Sequence, residues 1–388
     1  MRHRSKRFSI PAAAGLAALV MLLAACGQGG ASGSASTPAA TLGAAAANTQ
    51  QLGNETDELQ KLYQDAIAEG GKLTVWAGGD APNQQEALQK AFQQRFPQVP
   101  IDIVVNLSKD HDVEIDKQLK EGKLTPDVAM LQTSQDFERW KAEGELTNFK
   151  PAGFDHQLPG YADPDGAFLT ANIFSFLPEY AKQGLSSKPT SYQDFLKPEF
   201  KGKLVLTPPH DDDAVLYVYD KIIKKYGVDF LTKLAAQKPS FVRGTAAPAA
   251  MVGTGNYLGN LTGYATAPSQ PAVSFIPTED PFITWTQRAA LFNKAQHPAA
   301  GKLFLAFVAS KEYQSAGAMW PTRDDVAVGA DLKPLSEYKN TSPADFLSFM
   351  RDRQHIDQLK AQMEKVFGPV KGESPLTDPA LLKIVGAS

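Results

Sequence analysis

The chain has 388 residues, a formal net charge of −3 and a single cysteine. This slightly acidic charge argues against nucleic acid as a partner, because binding to phosphate backbones calls for a basic surface. One cysteine cannot form a disulfide within the chain, so burial of apolar side chains has to stabilise the fold. The length exceeds what one hydrophobic core usually serves, and we therefore expect two lobes.

The N-terminal segment has the features of a secretory signal. Residues 17–26 read AALVMLLAAC, and four basic residues precede them: Arg2, Arg4, Lys6 and Arg7. Leu23–Cys26 matches the bacterial lipobox, in which the peptide is cut before the cysteine and the thiol receives a lipid. We predict that residues 1–25 are a lipoprotein signal peptide and that Cys26 is lipidated, which leaves a chain of net charge −7. An uncleaved anchor is the alternative, but the apolar run is short for a membrane span.

A segment of small and polar residues follows the cysteine. Residues 27–51 are mostly Gly, Ser, Ala, Thr and Gln, with almost no large apolar side chains. Such a composition buries too little apolar surface to offset the entropy of ordering the backbone. We therefore predict a flexible tether over residues 26–54 and a folded body that begins at residue 55.

The first part of the body alternates helices and strands. Apolar periodicity predicts a helix around Leu59–Ile67 and three further helix–strand units. The strands are expected at Leu73–Ala77, Ile101–Val105 and Asp127–Leu131, and each one ends in a small, polar loop. This order predicts a mostly parallel sheet covered by helices, with ligands at the carboxyl ends of the strands. We assign residues 55–167 to the first segment of lobe 1.

The pattern then changes to long extended stretches around a second α/β unit. Phe168–Leu177 is expected to cross between lobes, and Ala272–Ile276 is expected to be the return crossing. We therefore predict that residues 168–277 form lobe 2 and that residues 278–388 return to lobe 1. The expected fold class is α/β, with two lobes, each a mostly parallel sheet flanked by helices, and a two-strand hinge that allows domain closure.

Four segments of the body contain sequence motifs that are typical of one family. They are residues 63–77, which end in EGGKLTVWA, residues 92–99 (FQQRFPQV), residues 192–208 with KGKLVLTP at their end, and residues 297–314 (HPAAGKLFLAFVASKEYQ). Together they resemble the type II periplasmic substrate-binding proteins of ABC transporters, and most of all the ferric-iron-binding branch. The resemblance implies two α/β lobes, solute capture for a membrane permease, and no catalysis.

The chain departs from the iron-binding branch at one point. Iron binders of this family carry two adjacent tyrosines in the second lobe, and no Tyr-Tyr pair occurs in this sequence. The corresponding region contains Tyr257 and Tyr264, seven residues apart. Ferric iron prefers anionic oxygen ligands. We therefore rank iron, or an iron complex, below a small organic solute.

Several residues are candidates for the ligand-binding cleft. His210 and Arg243 follow strands of lobe 2 and could bind an anion, although an ordinary helix start and an ion pair are the alternatives. Asp80 follows Gly78–Gly79 in the first ligand-facing loop, where a plain turn is the alternative. Trp285 could form a cleft wall or belong to the core. The full predicted set is Asp80, Ser134, Thr207, His210, Arg243, Tyr264 and Trp285.

These observations lead to one main functional hypothesis. We expect a monomeric, lipid-anchored receptor outside the cytoplasm that closes on a small, anionic organic solute and docks on an ABC permease. We expect no catalytic residue, metal or cofactor. The three consecutive aspartates, Asp211–Asp213, keep a cationic amine as an alternative ligand. A secreted hydrolase would need a nucleophile or metal constellation, which the sequence does not offer, and an adhesin would need a large exposed apolar patch.

The lipidation hypothesis predicts the fate of a Cys26→Ser variant in a bacterial host. The wild-type protein should incorporate labelled fatty acid and partition into the detergent phase of Triton X-114. Cys26→Ser should lose both properties, because a serine hydroxyl does not replace the thiol, whereas the nearby Ser34→Ala control should keep them. Wild-type protein without incorporated fatty acid would contradict the prediction.

Overall fold

The computed structural model of the protein describes residues 40–70, 72–264, 269–316, 319–329 and 331–387, with side chains from residue 54 onward. Residues 47–388 form one unit, which contains every element that follows the first helix. Of the other unit, residues 1–46, only the helical backbone from Ala40 onward is described. Cys26 and the predicted signal peptide lie outside the described residues.

The first segment consists of a helix followed by three strand–helix units. Gly122 ends the third helix with a left-handed backbone conformation (φ 67°), which glycine adopts without a steric cost. The elements are α1 (Ala40–Glu69), β1 (Leu73–Gly78), α2 (Glu86–Arg95), β2 (Ile101–Asn106), α3 (Ser108–Glu121), β3 (Val128–Leu131) and α4 (Ser134–Ala142).

The predicted tether over residues 26–54 is wrong in its second half. Helix α1 begins at Ala40, well before the predicted start of the folded body. Residues 44–47 are four consecutive alanines, and alanine has the highest intrinsic helix propensity. A segment without large apolar side chains can therefore continue a helix whose later turns pack on the core through Leu59 and Leu62.

The second segment contains a long strand, a helical region and a return strand. Asp212 caps the first of its helices, because its carboxylate accepts hydrogen bonds from the amides of Ala214 and Val215 (2.8 and 2.9 Å). The elements are β4 (Leu169–Ala181), β5 (Val205–Leu206), α5 (Asp213–Tyr226), α6 (Asp229–Ala236), β6 (Ser240–Phe241), α7 (Ala246–Met251), β7 (Gly259–Gly263), β8 (Ala272–Ser274) and β9 (Ile283–Leu291).

Two long antiparallel strands connect the lobes. The first half of β4 pairs with β9, and β9 also pairs with β3. The second half of β4 pairs instead with β7 and β8. The sheet order is β2-β1-β3-β9-β4-β7, with β8 beside β4, and β1 pairs in parallel with both β2 and β3. The two-lobed α/β class is thus confirmed, although the crossing strands make the sheet mixed.

The predicted return crossing at Ala272–Ile276 is wrong. That stretch forms the short edge strand β8, which pairs with the end of β4 inside the second lobe. The strand that returns to the first lobe is β9, over Ile283–Leu291. Both stretches are extended and apolar, so the sequence pattern did not separate a local edge strand from a crossing.

The C-terminal helices are divided between the lobes. They are α8 (Pro298–Ala309), α9 (Lys311–Gln314), α10 (Pro343–Arg351), α11 (Arg353–Phe367) and α12 (Pro379–Ile384). Helix α8 packs in the core of the first lobe, and nine of its residues are buried. Helices α10 and α11 pack through Phe346 and Ile356 on the core of the second lobe. The prediction that residues 278–388 all belong to lobe 1 is therefore wrong for these two helices.

Each lobe has its own hydrophobic core. In the first lobe, Phe92 is fully buried, with ring centroids 5.0 Å from Phe96, 5.9 Å from Phe304 and 5.7 Å from Phe307. In the second lobe, α5 packs against α11 and β9 around Val215. None of the helices in the described part of the chain combines the length and the hydropathy needed to cross a membrane.

Replacement of Phe92 by alanine should destabilise the first lobe strongly. The change leaves a cavity among three phenylalanine rings and should lower the free energy of unfolding by about 3–5 kcal/mol. Chemical denaturation followed by circular dichroism measures it. Val113→Ala is the matched control, because Val113 is 68% exposed and its truncation should have little effect. Equal unfolding free energies for the two variants would contradict the packing described here.

Candidate ligand-binding cleft

A cavity of about 100 Å³ lies between the two lobes. The loops after β1, β2 and β3 line one side, because the carboxyl ends of these strands meet at one edge of the sheet. The start of α5 and the loop before α7 line the other side. The crossing strands β4 and β9 and helix α10 complete the wall. All three sets of elements thus contribute to one enclosed space.

The wall formed by the crossing strands is aromatic. Trp285 on β9 lies 5.7 Å from Phe174 and 4.6 Å from Phe176 between ring centroids, and both phenylalanines are on β4. Phe176 also lies 5.7 Å from Tyr264. On the other side of Trp285, Phe346 of α10 lies 6.0 Å away. These rings give the cavity a rigid apolar surface that suits the body of an organic molecule.

Among the described residues that line the first cavity, two buried polar atoms have no hydrogen-bond partner. The Nε1 of Trp285 and the Oγ1 of Thr133 are both buried, and neither has a hydrogen-bond partner among the described residues. An indole N–H can only donate, so it calls for an acceptor. Buried polar groups without partners are rare in folded proteins. These two groups are therefore the places where a ligand oxygen or nitrogen would gain a hydrogen bond.

One carboxylate joins the two lobes across the cleft. Asp80, after β1, accepts hydrogen bonds from the hydroxyl of Thr245 (2.7 Å), from the amide of Ala246 (3.2 Å) and from the amide of Thr245. Thr245 and Ala246 stand at the start of α7 in the second lobe. The same Thr245 hydroxyl is hydrogen-bonded to the phenol of Tyr264. Charged hydrogen bonds of this kind are among the stronger ones, so Asp80 stabilises the closed arrangement.

A second bridge uses a lysine of the first lobe. Lys109 Nζ on α3 donates to the carbonyl oxygen of Asp211 (2.6 Å) and contacts its carboxylate (3.2 Å). Arg243 holds that carboxylate with two hydrogen bonds, of 2.7 and 3.0 Å. Burial by itself would raise the pKa of Asp211. The hydrogen bonds and positive charges of Arg243 and Lys109 together outweigh this effect and hold the pKa below its usual value. The Asp211 carboxylate is therefore fully engaged within the protein, and the group of two cations and one anion keeps one unbalanced positive charge.

The other two aspartates of the loop also have protein partners. Asp212 caps α5, and burial raises the pKa of its carboxyl to about 6. Asp213 is paired with Arg353 (3.0 Å) and Lys360 (2.6 Å) of α11. Helix capping and ion pairs within the second lobe therefore account for Asp212 and Asp213.

A larger cavity of about 760 Å³ adjoins the first one and shares Gln84, Phe174 and Tyr264 with it. Its remaining lining is mostly alanine and other apolar residues, with Asn83 and Gln270 as uncharged polar residues and Glu179 of β4 as the acidic one. Burial raises the pKa of Glu179 to about 8, with a smaller opposing effect from the Asn260 amide. The C-terminal segment covers this region, because the side-chain amide of Asn83 donates to the carbonyl oxygen of Val385 (3.1 Å).

The predicted site residues fall into two groups. Asp80, Tyr264 and Trp285 line the first cavity. Four others are not among the residues that line it: Ser134, Thr207, His210 and Arg243. Thr207 donates to the carbonyl oxygen of Gly244 (2.7 Å), and Ser134 donates to that of Thr286 (3.2 Å). These two hydroxyls support the backbone around the cleft.

His210 and Arg243 are placed differently from the sequence prediction of direct ligand contact. Arg243 is engaged with Asp211, as described above. His210 lies near Glu364 at the end of α11, and burial lowers the pKa of its imidazole. Its two ring nitrogens are buried without a hydrogen-bond partner among the described residues.

Several lining residues were not foreseen from the sequence. Phe174 and Phe176 lie within the predicted crossing strand, where alternate side chains point to opposite faces of the sheet. The sequence pattern did not indicate which face borders the cleft. Phe346 and Met350 were predicted in a helix of the first lobe and reach the cleft through α10. Only Lys109 had a usable signal, because it follows β2 in one of the ligand-facing loops.

The only phenol that lines the first cavity, among the described residues, is poorly suited to ferric iron. Burial and the neighbouring carboxylate of Asp80 raise the pKa of Tyr264 well above its usual value, so this phenol stays protonated. Ferric iron binds the phenolate form. In the described part of the chain, one other group could hold a metal: His156, Asp324 and Asp325, none of which lines either cavity. There Asp325 is already paired with Arg323 (2.8 Å) and Lys311 (3.4 Å).

Comparison with solved structures supports the fold. The chain is similar to iron-bound HitA from Pseudomonas aeruginosa, with 21% identity, a TM-score of 0.60, and coverage of 76% of this chain and 99% of that one. It is similar to AfuA from Actinobacillus pleuropneumoniae with fructose-6-phosphate bound, with 17% identity, a TM-score of 0.62, and coverage of 77% and 99%.

A third similar structure is the substrate-binding protein of an ABC transporter from Agrobacterium tumefaciens. It has 15% identity and a TM-score of 0.64, and the match covers 76% of this chain and 94% of that one. At these identities the likeness concerns the fold alone. No curated protein sequence matches this chain closely enough to show a relationship.

The sequence itself matches one family over most of the folded body. The match covers residues 73–318, from β1 to just beyond α9, and so includes both crossing strands and both sides of the cleft. The predicted resemblance to periplasmic substrate-binding proteins is thereby confirmed, and the chain belongs to the bacterial extracellular solute-binding proteins.

Proposed function

We propose that this protein is the receptor of an ABC importer and that it captures a small organic solute between its two lobes. The observation that carries the proposal is the cleft itself. It combines an aromatic wall around Trp285 with the Asp80 bridge, which holds the lobes together. The unpartnered Trp285 Nε1 supports a solute that offers an oxygen or nitrogen acceptor. Closure of the lobes would bury the solute and present one shape to the permease.

The charge of the solute depends on which charged groups line the first cavity. The expectation of an anion depended on Arg243 and His210, and neither of them lines the cavity. Among the described lining residues, Lys109 is the cation, and it is bound to Asp211. The aromatic wall therefore supports an organic body, while these charges give an anion little support.

Iron is the less favoured ligand for a chemical reason. The described lining offers one phenol, that of Tyr264, and its pKa is raised well above the usual value. The carboxylates of Asp80 and Asp211 are both engaged by donors of the protein. A ferric ion would have to displace these donors to gain anionic oxygen ligands.

The anchoring of the receptor completes the proposal. A lipid on Cys26 would hold the protein at the cell envelope after removal of residues 1–25, close to its permease. We propose that it acts as a monomer. The boundary between its two lobes would lie at the crossing strands β4 and β9. The family is one of extracellular solute-binding proteins, which agrees with a place of action outside the cytoplasm.

A thermal-shift screen tests the capture of organic solutes. The panel contains amines, alcohols, carboxylic acids, amino acids, sugars, sugar phosphates and ferric citrate. At least one organic solute should raise the melting temperature, because a ligand that binds only the folded state stabilises it. Ferric citrate should give no visible phenolate-to-iron absorption band. A screen in which only ferric citrate acts, or in which nothing acts, would refute the proposal.

Replacement of Asp80 by alanine should open the cleft. The variant loses the acceptor for Thr245 and Ala246, which should cost the closed arrangement about 2 kcal/mol. Hydrogen exchange at these two amides should become faster, and the radius of gyration from small-angle X-ray scattering should rise. Asp102→Ala is the matched control, since Asp102 is exposed on β2. Unchanged exchange in Asp80→Ala would show that this bridge does not hold the lobes.

A further inference from the structure

Glu179 is a buried carboxyl group without a compensating charge. Its side chain is 1% exposed, and it belongs to the lining of the larger cavity, of about 760 Å³. Its Oε2 has no hydrogen-bond partner among the described residues. The only other titratable group among the described lining residues is the phenol of Tyr264. A cavity of this volume lies within the usual range for ligand sites.

The strands packed against Glu179 bring no cation to it. On β7, Asn260 lies opposite Glu179 in the register, and its uncharged side-chain amide only partly offsets the effect of burial on the carboxyl. On β8, Ser274 is the residue in register. The described parts of these two strands contain no charged residue. Nearby carboxylates, such as Asp80, face Tyr264 and would only disfavour another negative charge.

The carboxyl group lies directly against a glycine. A Cβ on Gly263 would lie 2.6 Å from Glu179 Oε2, so any larger residue there would collide with the carboxyl group. Two aromatic residues, Phe174 and Tyr264, line the same cavity. A carboxylate next to aromatic rings is the combination that binds an organic cation, through an ion pair and cation–π contacts.

We propose that the solute of this receptor carries a protonated amine or quaternary ammonium group, which Glu179 binds in the larger cavity. The inference depends on the proposed function, because it names the chemical class of the solute that the same cleft captures. The organic body of the solute would extend past Phe174 and Tyr264, which line both cavities, toward Trp285. A buried carboxyl with a role only in folding would instead be indifferent to the charge of added solutes.

Sets of compounds that differ only in charge test the proposal. One set is benzylamine, benzyl alcohol and benzoate, and a second is pentylamine, pentanol and pentanoate. Binding is measured by isothermal titration calorimetry at pH 8. The amine of a set should bind at least about tenfold more tightly than its alcohol or its carboxylate. Equal or tighter binding of the alcohol or the carboxylate, or no binding by either amine, would overturn the proposal.

The Glu179→Gln variant locates the effect. Glutamine keeps the shape of the side chain but cannot become negative, so amine affinity should fall by about tenfold or more while alcohol affinity stays unchanged. Asp102→Asn removes an exposed carboxylate from β2 and should change neither. Wild-type amine affinity in Glu179→Gln would overturn the proposal. The circular dichroism spectrum and the melting temperature of each variant establish that it is folded.

The pH dependence of the wild-type protein gives a test that needs no variant. Benzyltrimethylammonium keeps its charge at every pH, so only the protein titrates. Burial raises the pKa of Glu179 to about 8, and a proton therefore competes with the cation below that pH. The affinity should rise by about 50-fold from pH 6 to pH 8 and then level off. A constant affinity over this range would contradict a role for Glu179.

The two proposals fail in different ways. If alcohols or carboxylates stabilise the protein and Asp80→Ala weakens their effect, solute capture stands and the amine inference is wrong. If no organic compound of the thermal-shift screen acts, the proposed function itself is wrong. If amines bind to wild-type protein and Glu179→Gln loses them, both proposals are supported.

Discussion

The antiparallel pairing of β4 with β9 is the constraint on which the rest of the structure depends. Leu169–Phe176 of β4 is hydrogen-bonded to Ile283–Ala289 of β9. Beyond this pairing, each strand pairs with strands of a different lobe. Strand β9 pairs with β3 of the first lobe, whereas β4 pairs with β7 and β8 of the second. Any movement of one lobe against the other has to bend these two strands. The same strands carry Phe174, Phe176 and Trp285, so the hinge is also a wall of the cleft.

Charge compensation inside the protein distinguishes the two cavities. In the first, Asp80 is satisfied by donors of α7, and Asp211 is held by Lys109 and Arg243. A solute there would gain mainly apolar contacts, together with hydrogen bonds to Trp285 Nε1 and Thr133 Oγ1, which have no partner among the described residues. In the larger cavity, Glu179 is buried with no cation among its described neighbours. Burial destabilises the charged form of such a carboxyl unless a cation binds next to it. A cationic ligand should therefore bind there more tightly than a neutral or anionic one.

Proteins that share this fold bind different ligands. Structures of the same fold include iron-bound HitA and AfuA with fructose-6-phosphate bound, both at 21% identity or less to this chain. The side chains at the strand ends and helix starts determine which solute a protein of this fold binds. In this chain the first cavity contains the phenol of Tyr264, whose pKa is raised, and the larger cavity contains the buried carboxyl of Glu179 near two aromatic rings.

Local patterns in the sequence predicted the alternating strands and helices of the first segment and the first crossing, because apolar periodicity and turn residues act over short distances. Strands β7 and β9 and helix α7 were not predicted. Strand β4 was predicted from its extended apolar stretch, and the loop before α7 was expected to face the cleft. The return crossing was wrong, since β8 and β9 look alike locally and differ only in their partners. Helix α1 extends farther than predicted, because alanines sustain a helix without supplying a core.

The tertiary structure alone decided which side chains meet. Arg243 carries the charge and position that a ligand-binding residue would have, yet Asp211 lies close enough to hold it with two hydrogen bonds. Phe346 reaches the cleft because α10 packs on the core of the second lobe, while Arg351 of the same helix pairs with Glu138 of the first. Glu179 gave no signal in the sequence, since one glutamate in an apolar strand reveals neither its burial nor its lack of a partner. These properties depend on contacts between residues distant in the chain, whereas the order of the elements depends on neighbours.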